Sequence, residues 1–182
     1  HKVFYSFLVF FLILSFSCSN NSDKTGDIEQ IAQLEKKLFE NSSAYFENQP
    51  TAEELIVLYE NYYKNFPDDS LTPEFIFKAA ETCRSLNKGE EAIKYYDIIF
   101  NEYKDFGKYA YCLFLKGFVY ENVIKDILKA KKYYTLFIEK YPDHDFADDA
   151  KILIEQLGKS PEELIRSFEE NQLPEEDTVS VL

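Results

Sequence analysis

The feature that constrains this chain most is a motif written three times. "LYENYYKNFPD" starts at Leu58, "YYDIIFNEYKD" at Tyr95 and "YYTLFIEKYPD" at Tyr133. Tyr59, Tyr96 and Tyr134 hold the second place of each block, and Phe66, Tyr103 and Tyr141 close them. Small residues keep the same register, Ala92 with Ala130 and Ala80 with Gly117. A long repeat of this kind means stacked units, each burying its apolar face on the next.

The apolar residues within and between the blocks fall at helical spacing, beginning with Ile28, Ile31, Leu34, Leu38 and Phe39. The pattern predicts helices over 28–47, 52–66, 73–86, 89–103, 109–123, 127–141, 145–157 and 161–171. Thr51 with Glu54, and Ser160 with Glu163, have capping-box spacing, in which each side chain satisfies the other residue's free N–H. Thr72 stands as an N-cap before Pro73, and Gly158 as a C-cap. No stretch sustains the period-two alternation of a sheet. The expectation is an all-α chain of three hairpins, 28–47 with 52–66, 73–86 with 89–103 and 109–123 with 127–141. Helix 145–157 follows, and 161–171 caps the end, with Leu164, Ile165 and Phe168 over the core. One extra residue enters the register near Lys125.

"FIFKAAETCRSLNKGEEAIKYYDIIFNEY" carries the packing logic. Ala79, Ala80 and Ala92 stand where helices must approach closely, and Tyr96 fills the gap between them. Pro67 and Pro142 end second helices; Lys104 stands where the third proline would be. In these residues the chain resembles tetratricopeptide repeat proteins over about residues 28–171. Its "YP" helix ends are similar to the repeats of bacterial periplasmic proteins. These include the outer-membrane β-barrel assembly lipoprotein and the Tol–Pal-associated cell-division coordinator. "LGKSPEELI" resembles the endings of a family of small Bacteroidota lipoproteins. The resemblance implies a helical-hairpin solenoid of about 3.5 repeats, concave on the side of the first helices. It places ligand-facing positions at Glu74, Phe77, Glu81 and Arg84, at Tyr111, Phe114, Phe118 and Glu121, and at Asp149, Ile152, Gln156 and Lys159. The candidate groove is Phe77, Arg84, Tyr111, Phe114, Phe118, Glu121 and Ile152, an aromatic stripe with a charged border. Such a stripe suits an extended peptide or a helix with apolar anchors. For each aromatic, burial in the core is the competing reading.

The N-terminus has a different character. Lys2 precedes a mostly apolar run from Val3 to Ser17, shorter than the ~20 residues of a spanning helix. It fits a signal peptide over 1–17. "LSFSC", ending at Cys18, resembles the bacterial lipobox, with Phe16 bulkier than usual. That resemblance implies cleavage before Cys18 and lipidation of its thiol, which anchors the protein to a membrane. Residues 18–27 then read as lipidated cysteine and flexible tether, and 172–182 as an acidic disordered tail. Ser19 after the cysteine implies the outer membrane, facing the periplasm.

Chemistry is sparse. Net charge is -13, which opposes binding to the phosphates of nucleic acid. Past Cys18 the chain has one histidine, His144, within "PDHDFADD". Its acids read as a turn and helix start rather than a metal site, and the calcium-loop spacing is absent. Cys83 and Cys112 read as buried core thiols. A disulfide is the alternative in an oxidising compartment, though their unlike repeat positions put them far apart. Asn41-Ser42-Ser43 is a glycosylation sequon, incidental in a bacterial lipoprotein. No cofactor motif occurs. The expectation is a non-enzymatic, membrane-anchored adaptor of the cell envelope that binds a protein or peptide partner. Alternatives are an accessory of outer-membrane assembly or cell division, a carboxylate-dependent peptidoglycan hydrolase, and a passive spacer.

Overall fold

A computed structural model describes residues 23–40 and 48–172. The expected signal peptide, Cys18, the sequon and residues 173–182 lie outside them. The described residues form eight α-helices and no strand: α1 Lys24–Glu40, α2 Gln49–Asn65, α3 Thr72–Ser85, α4 Gly89–Glu102, α5 Tyr109–Val119, α6 Ile127–Lys140, α7 Ala147–Gln156 and α8 Pro161–Gln172. Helices α1 to α7 each pack on their neighbour in sequence, and α8 packs only lightly. The fold is the expected all-α solenoid of helical hairpins, α1/α2, α3/α4 and α5/α6, with α7 stacked on the last.

The repeat is written in the backbone as well as in the side chains. Each second helix ends on an aromatic residue whose N–H donates back four residues: Phe66 to Tyr62, Tyr103 to Ile99 and Tyr141 to Phe137. The same two bonds then carry the chain into the next repeat, Asp69 to Phe66 and Thr72 to Asp69 in the first turn. Phe106 to Tyr103 and Tyr109 to Phe106 repeat them, as do His144 to Tyr141 and Ala147 to His144. One geometry, used three times, fixes the angle between hairpins.

Small residues let the paired helices close. A methyl group built on Gly117 would lie 2.5 Å from the ring of Tyr134, and one on Gly89 would lie 2.6 Å from Ile124. Tyr62, Tyr96 and Tyr134 are fully buried between helices, as is Phe137. The extra residue near Lys125 is absorbed without disturbing the stack. Helix α5 widens into a π-helical turn, Tyr120–Ile124, and Lys125 takes a left-handed conformation with φ 65°. Asp126 then caps α6, its side chain accepting from the Lys129 N–H at 3.0 Å.

Several local expectations need correction. The flexible tether stops short of residue 27, because Asp23 accepts from the Thr25 N–H at 3.1 Å and starts α1 at Lys24. Thr72 is no N-cap: it lies inside α3, fully buried, and its hydroxyl donates to the Phe66 carbonyl at 2.6 Å. Thr51 is buried within α2, which starts at Gln49, so no capping box forms there. Helix α7 begins at Ala147, two residues later than expected. The Ser160–Glu163 box does form, with bonds of 2.8 and 3.2 Å. Gly158 has the positive φ of a helix terminus, 76°. Ile165 does not cover the core; it is 58% exposed.

Candidate functional site

The first helices line one side of the solenoid, and a tyrosine from each second helix reaches through to it. Tyr59 donates its hydroxyl to Glu35 at 2.7 Å, Tyr96 to Glu81, and Tyr134 to Glu121 at 2.7 Å. Each pair joins the two helices of one hairpin, from a ring in the core to a carboxylate at the surface. Burial, and then the neighbouring carboxylate, push all three phenols far above their ordinary pKa. They remain neutral donors at any physiological pH.

Two of these carboxylates also hold cations of the same face. Lys78 donates to Glu35 at 2.7 Å. Glu81 receives both Nε and Nη2 of Arg84, at 3.1 and 2.7 Å, the forked geometry that suits guanidinium and carboxylate. That hydrogen bonding raises the Arg84 pKa further. The Arg84 guanidinium lies 5.5 Å from the Phe118 ring centroid. The charges are therefore committed to one another, and what this face offers is apolar surface.

Part of that surface forms a shallow groove of about 230 Å³, lined by Arg84, Tyr111, Phe114, Leu115, Phe118 and Leu153; a second pocket of about 150 Å³ is lined by Glu35, Leu38, Leu55, Tyr59, Lys78, Glu81 and Thr82. Four of the seven expected groove residues come together in the first: Arg84, Tyr111, Phe114 and Phe118. Tyr111 and Phe118 are half-buried, while Phe114 is 7% exposed and forms the floor. Its ring touches Tyr134, Phe137 and Phe146 at 5.5, 5.6 and 5.2 Å. Phe77 lies outside the groove, buried against Phe106 at 6.1 Å and Tyr111 at 6.4 Å. Glu121 is engaged by Tyr134, and Ile152 does not line the groove and is half-exposed. Sequence reasoning missed Leu115 and Leu153. They stand at equivalent places of successive repeats, so the period itself could have found them as a pair.

Reactive groups elsewhere are quiet. Cys83 and Cys112 are free and buried, and burial pushes their thiols up to about 11 and about 12. His144 sits in the turn before α7, where its Nδ1 accepts from the Phe146 N–H at 3.2 Å. Among the described residues, no group of three or more His, Cys, Asp or Glu side chains is placed to hold a metal ion. Glu53, Asp69 and Asp148 are held low, each by a lysine side-chain hydrogen bond first, and Asp126 and Glu163 are held low first by the backbone N–H groups of Lys129 and Ser160. Lys116 is a buried cation that the sequence did not signal. It is held by Asp97 at 2.5 Å and lies 4.4 Å from the Tyr133 ring centroid.

Residues 111–144 match the tetratricopeptide repeat model. The matched span is α5, its π-helical turn, α6 and the turn to His144, so it contains Tyr111, Phe114, Phe118 and Glu121. No curated protein matches the chain. Repeats of this kind generally mediate contacts between proteins, and an all-helical repeat fold is typically non-enzymatic.

Proposed function

We propose that this protein is an adaptor that receives an apolar anchor of a partner protein in the groove between α3, α5 and α7. The observation that carries the reading is the self-paired charge around the groove. Arg84 is satisfied by Glu81 and stacked on Phe118, so a ligand need not break an ion pair to reach Tyr111, Phe118 and Leu153. Apolar burial is worth about 25 cal/mol per Å², so one aromatic or leucine anchor would supply on the order of 2 kcal/mol. Flanking main-chain and rim contacts would supply the rest.

The membrane anchor belongs to the same proposal. "LSFSC" supports lipidation of Cys18, and Ser19 after it supports placement in the outer membrane facing the periplasm. Helix α1 starts at Lys24, so few residues separate it from that cysteine. At roughly 3.5 Å per extended residue, the start of α1 would stay within about 20 Å of the acyl chains. Anchoring would raise the local concentration of the groove for envelope proteins.

The test is a paired capture. The full chain and a Phe118→Ser variant, matched for helicity by circular dichroism, are incubated with envelope extract and their bound proteins compared. Partners lost only with Phe118→Ser support the groove; identical sets refute it. For the anchor, Cys18→Ser should move the protein from the membrane to the soluble fraction, and unchanged fractionation refutes lipidation.

A further inference from the structure

The turns that lead into α3, α5 and α7 share one geometry, and the third holds a titratable acceptor. Asp69, Phe106 and His144 occupy the same place in them. Each donates its N–H to the aromatic residue three before it and accepts at its carbonyl from the residue three after. In the first turn the Asp69 carboxylate accepts from the N–H two residues on, that of Leu71, at 2.9 Å. In the third, His144 Nδ1 accepts from the N–H of Phe146 at 3.2 Å. In the second, the Phe106 side chain has no acceptor to offer. A main-chain N–H can only donate, so Nδ1 is the bare nitrogen of the neutral ring, and its proton is on Nε2. A second proton has one place to go, Nδ1, where it would face the Phe146 N–H.

That bond holds a residue the groove depends on. Phe146 is the N-cap residue of α7, and its ring stacks on Tyr111 at 4.8 Å and on Phe114 at 5.2 Å. Tyr111 and Phe114 both line the groove. The Phe146 carbonyl accepts from Ala150 of α7, the helix that supplies Leu153 to the same groove. In the second turn the equivalent residue is Lys108. Its ammonium lies 4.5 Å from the Phe77 ring centroid and is held there by Glu74 at 2.7 Å. Phe146 has no such ion pair to fix it, and the turn bond takes that part.

Histidine gains its second proton between pH 8 and pH 5, a range in which carboxylates stay ionised and phenols stay neutral. The ring of His144 meets those of Phe137 and Phe146 at 5.1 and 5.9 Å, neither of them ionisable. Of the ionisable groups on the elements that meet here, α6 brings Lys140 and Tyr141, and the turn brings Asp143 and Asp145. Helix α7 adds Asp148, Asp149 and Lys151, and α5 adds Tyr109 and Tyr111. Burial raises Tyr141, and Lys151 holds Asp148 low. His144 is therefore the group here whose charge changes in that range.

We infer that His144 is a proton-operated latch on the groove. Neutral, it holds the Phe146 N–H, and with it the ring that backs Tyr111 and Phe114. Protonated, it turns its Nδ1–H away from Phe146 to the carboxylates of Asp143 and Asp145, Phe146 lifts, and the groove loses its packed wall. Partner binding weakens as pH falls. That effect on binding rests on the groove being the partner site; the latch itself does not.

The experiment labels the Phe146 ring of the full chain with a para fluorine and follows its resonance from pH 8 to pH 5, beside the ring protons of His144. The fluorine resonance should move in step with protonation of His144, toward its position in the unfolded chain. His144→Asp copies the Asp69 turn and keeps an acceptor; His144→Phe copies the Phe106 turn. In both variants the resonance should stay in place over the same range. Both residues already serve at this position of the repeat, so neither threatens the turn, and circular dichroism checks the fold. A static resonance in the wild type, or the same movement in His144→Asp, overturns the latch. A second arm repeats the envelope capture at pH 7.5 and pH 5.5. The wild type should retain about two- to tenfold less at the lower pH, the factor one hydrogen bond carries. His144→Asp should retain equal amounts at both. Equal loss in the two proteins overturns control of the groove by His144. If Phe118→Ser captures the same proteins as the wild type, the groove reading falls, while the fluorine titration still decides the latch.

Discussion

Replacing Gly117 with alanine sets two opposed effects against each other. In a helix interior, alanine is favoured over glycine by about 1 kcal/mol, so propensity alone predicts a more stable protein. The structure predicts the reverse. The new methyl carbon would lie 2.5 and 2.6 Å from Cδ1 and Cε1 of Tyr134, about 1 Å closer than ordinary contact. The ring cannot swing aside. Tyr134 is fully buried, packed on Phe114, and tied by its hydroxyl to Glu121. Overpacking of this kind costs about 1–3 kcal/mol. If relief requires breaking the bond to Glu121, a further ~1.5–3 kcal/mol is lost, because the acceptor is charged. Subtracting the propensity gain leaves a net loss of about 2 kcal/mol. For a domain of this size that lowers Tm by roughly 4–8 °C. Ala80 occupies the equivalent place in the second hairpin, so the repeat as such accepts a methyl group; the placement of Tyr134 forbids it here. Urea unfolding followed by circular dichroism gives the difference directly. Gly107→Ala, with open space around the added atom, is the control. A Gly117→Ala protein as stable as wild type, or more so, would refute the close-packing argument.

Other outcomes follow from the same geometry. Tyr62 and Tyr120 have pKa values pushed up to about 12, burial being the main cause in both. Their folded values lie above the unfolded ~10, so their contribution is complete below pH 10 and disappears as pH rises toward 12. Alkaline unfolding should therefore coincide with a delayed step in tyrosinate absorbance; stepwise ionisation near pH 10 in a folded chain would contradict this. Cys83 and Cys112 should resist a thiol reagent at pH 8 until the chain is unfolded, and rapid native labelling of either would show that it is exposed. Ser160→Ala removes one bond of the capping box and should destabilise α8 by about 1 kcal/mol. Amide exchange should quicken in 161–172 and stay unchanged in α3 to α6; a global change would show that α8 is integral to the stack.

The period was legible because it is made of large residues in fixed places. Tyr59, Tyr96 and Tyr134, with Phe66, Tyr103 and Tyr141, gave the hairpins and most of their boundaries before any coordinates. Helix starts were harder. Thr51 and Thr72 have the composition of caps, but both side chains are drawn into the interior, where tertiary contact outweighs local capping. The groove was half legible. Helical spacing put Tyr111, Phe114 and Phe118 on one face, yet it could not tell floor from wall. That depends on Phe146 coming across from the next repeat onto Phe114. The same blindness affected Ile152: its 50% exposure is set by neighbours in the fold, which no local pattern encodes. Glu81 and Glu121 read as ligand-facing positions; the structure pairs them with Tyr96 and Tyr134 as the pins of their hairpins.

The central claim is that the partner sits in the groove, and a photo-crosslinker tests it most directly. A benzophenone side chain is placed at position 118 in one sample and at position 128 in another, where Leu128 is 83% exposed on α6. Both proteins are irradiated in intact cells. The account predicts a discrete protein adduct from position 118 and none, or only diffuse background, from position 128. The same discrete adduct from position 128, with position 118 silent, would contradict it and move the binding surface off the concave face.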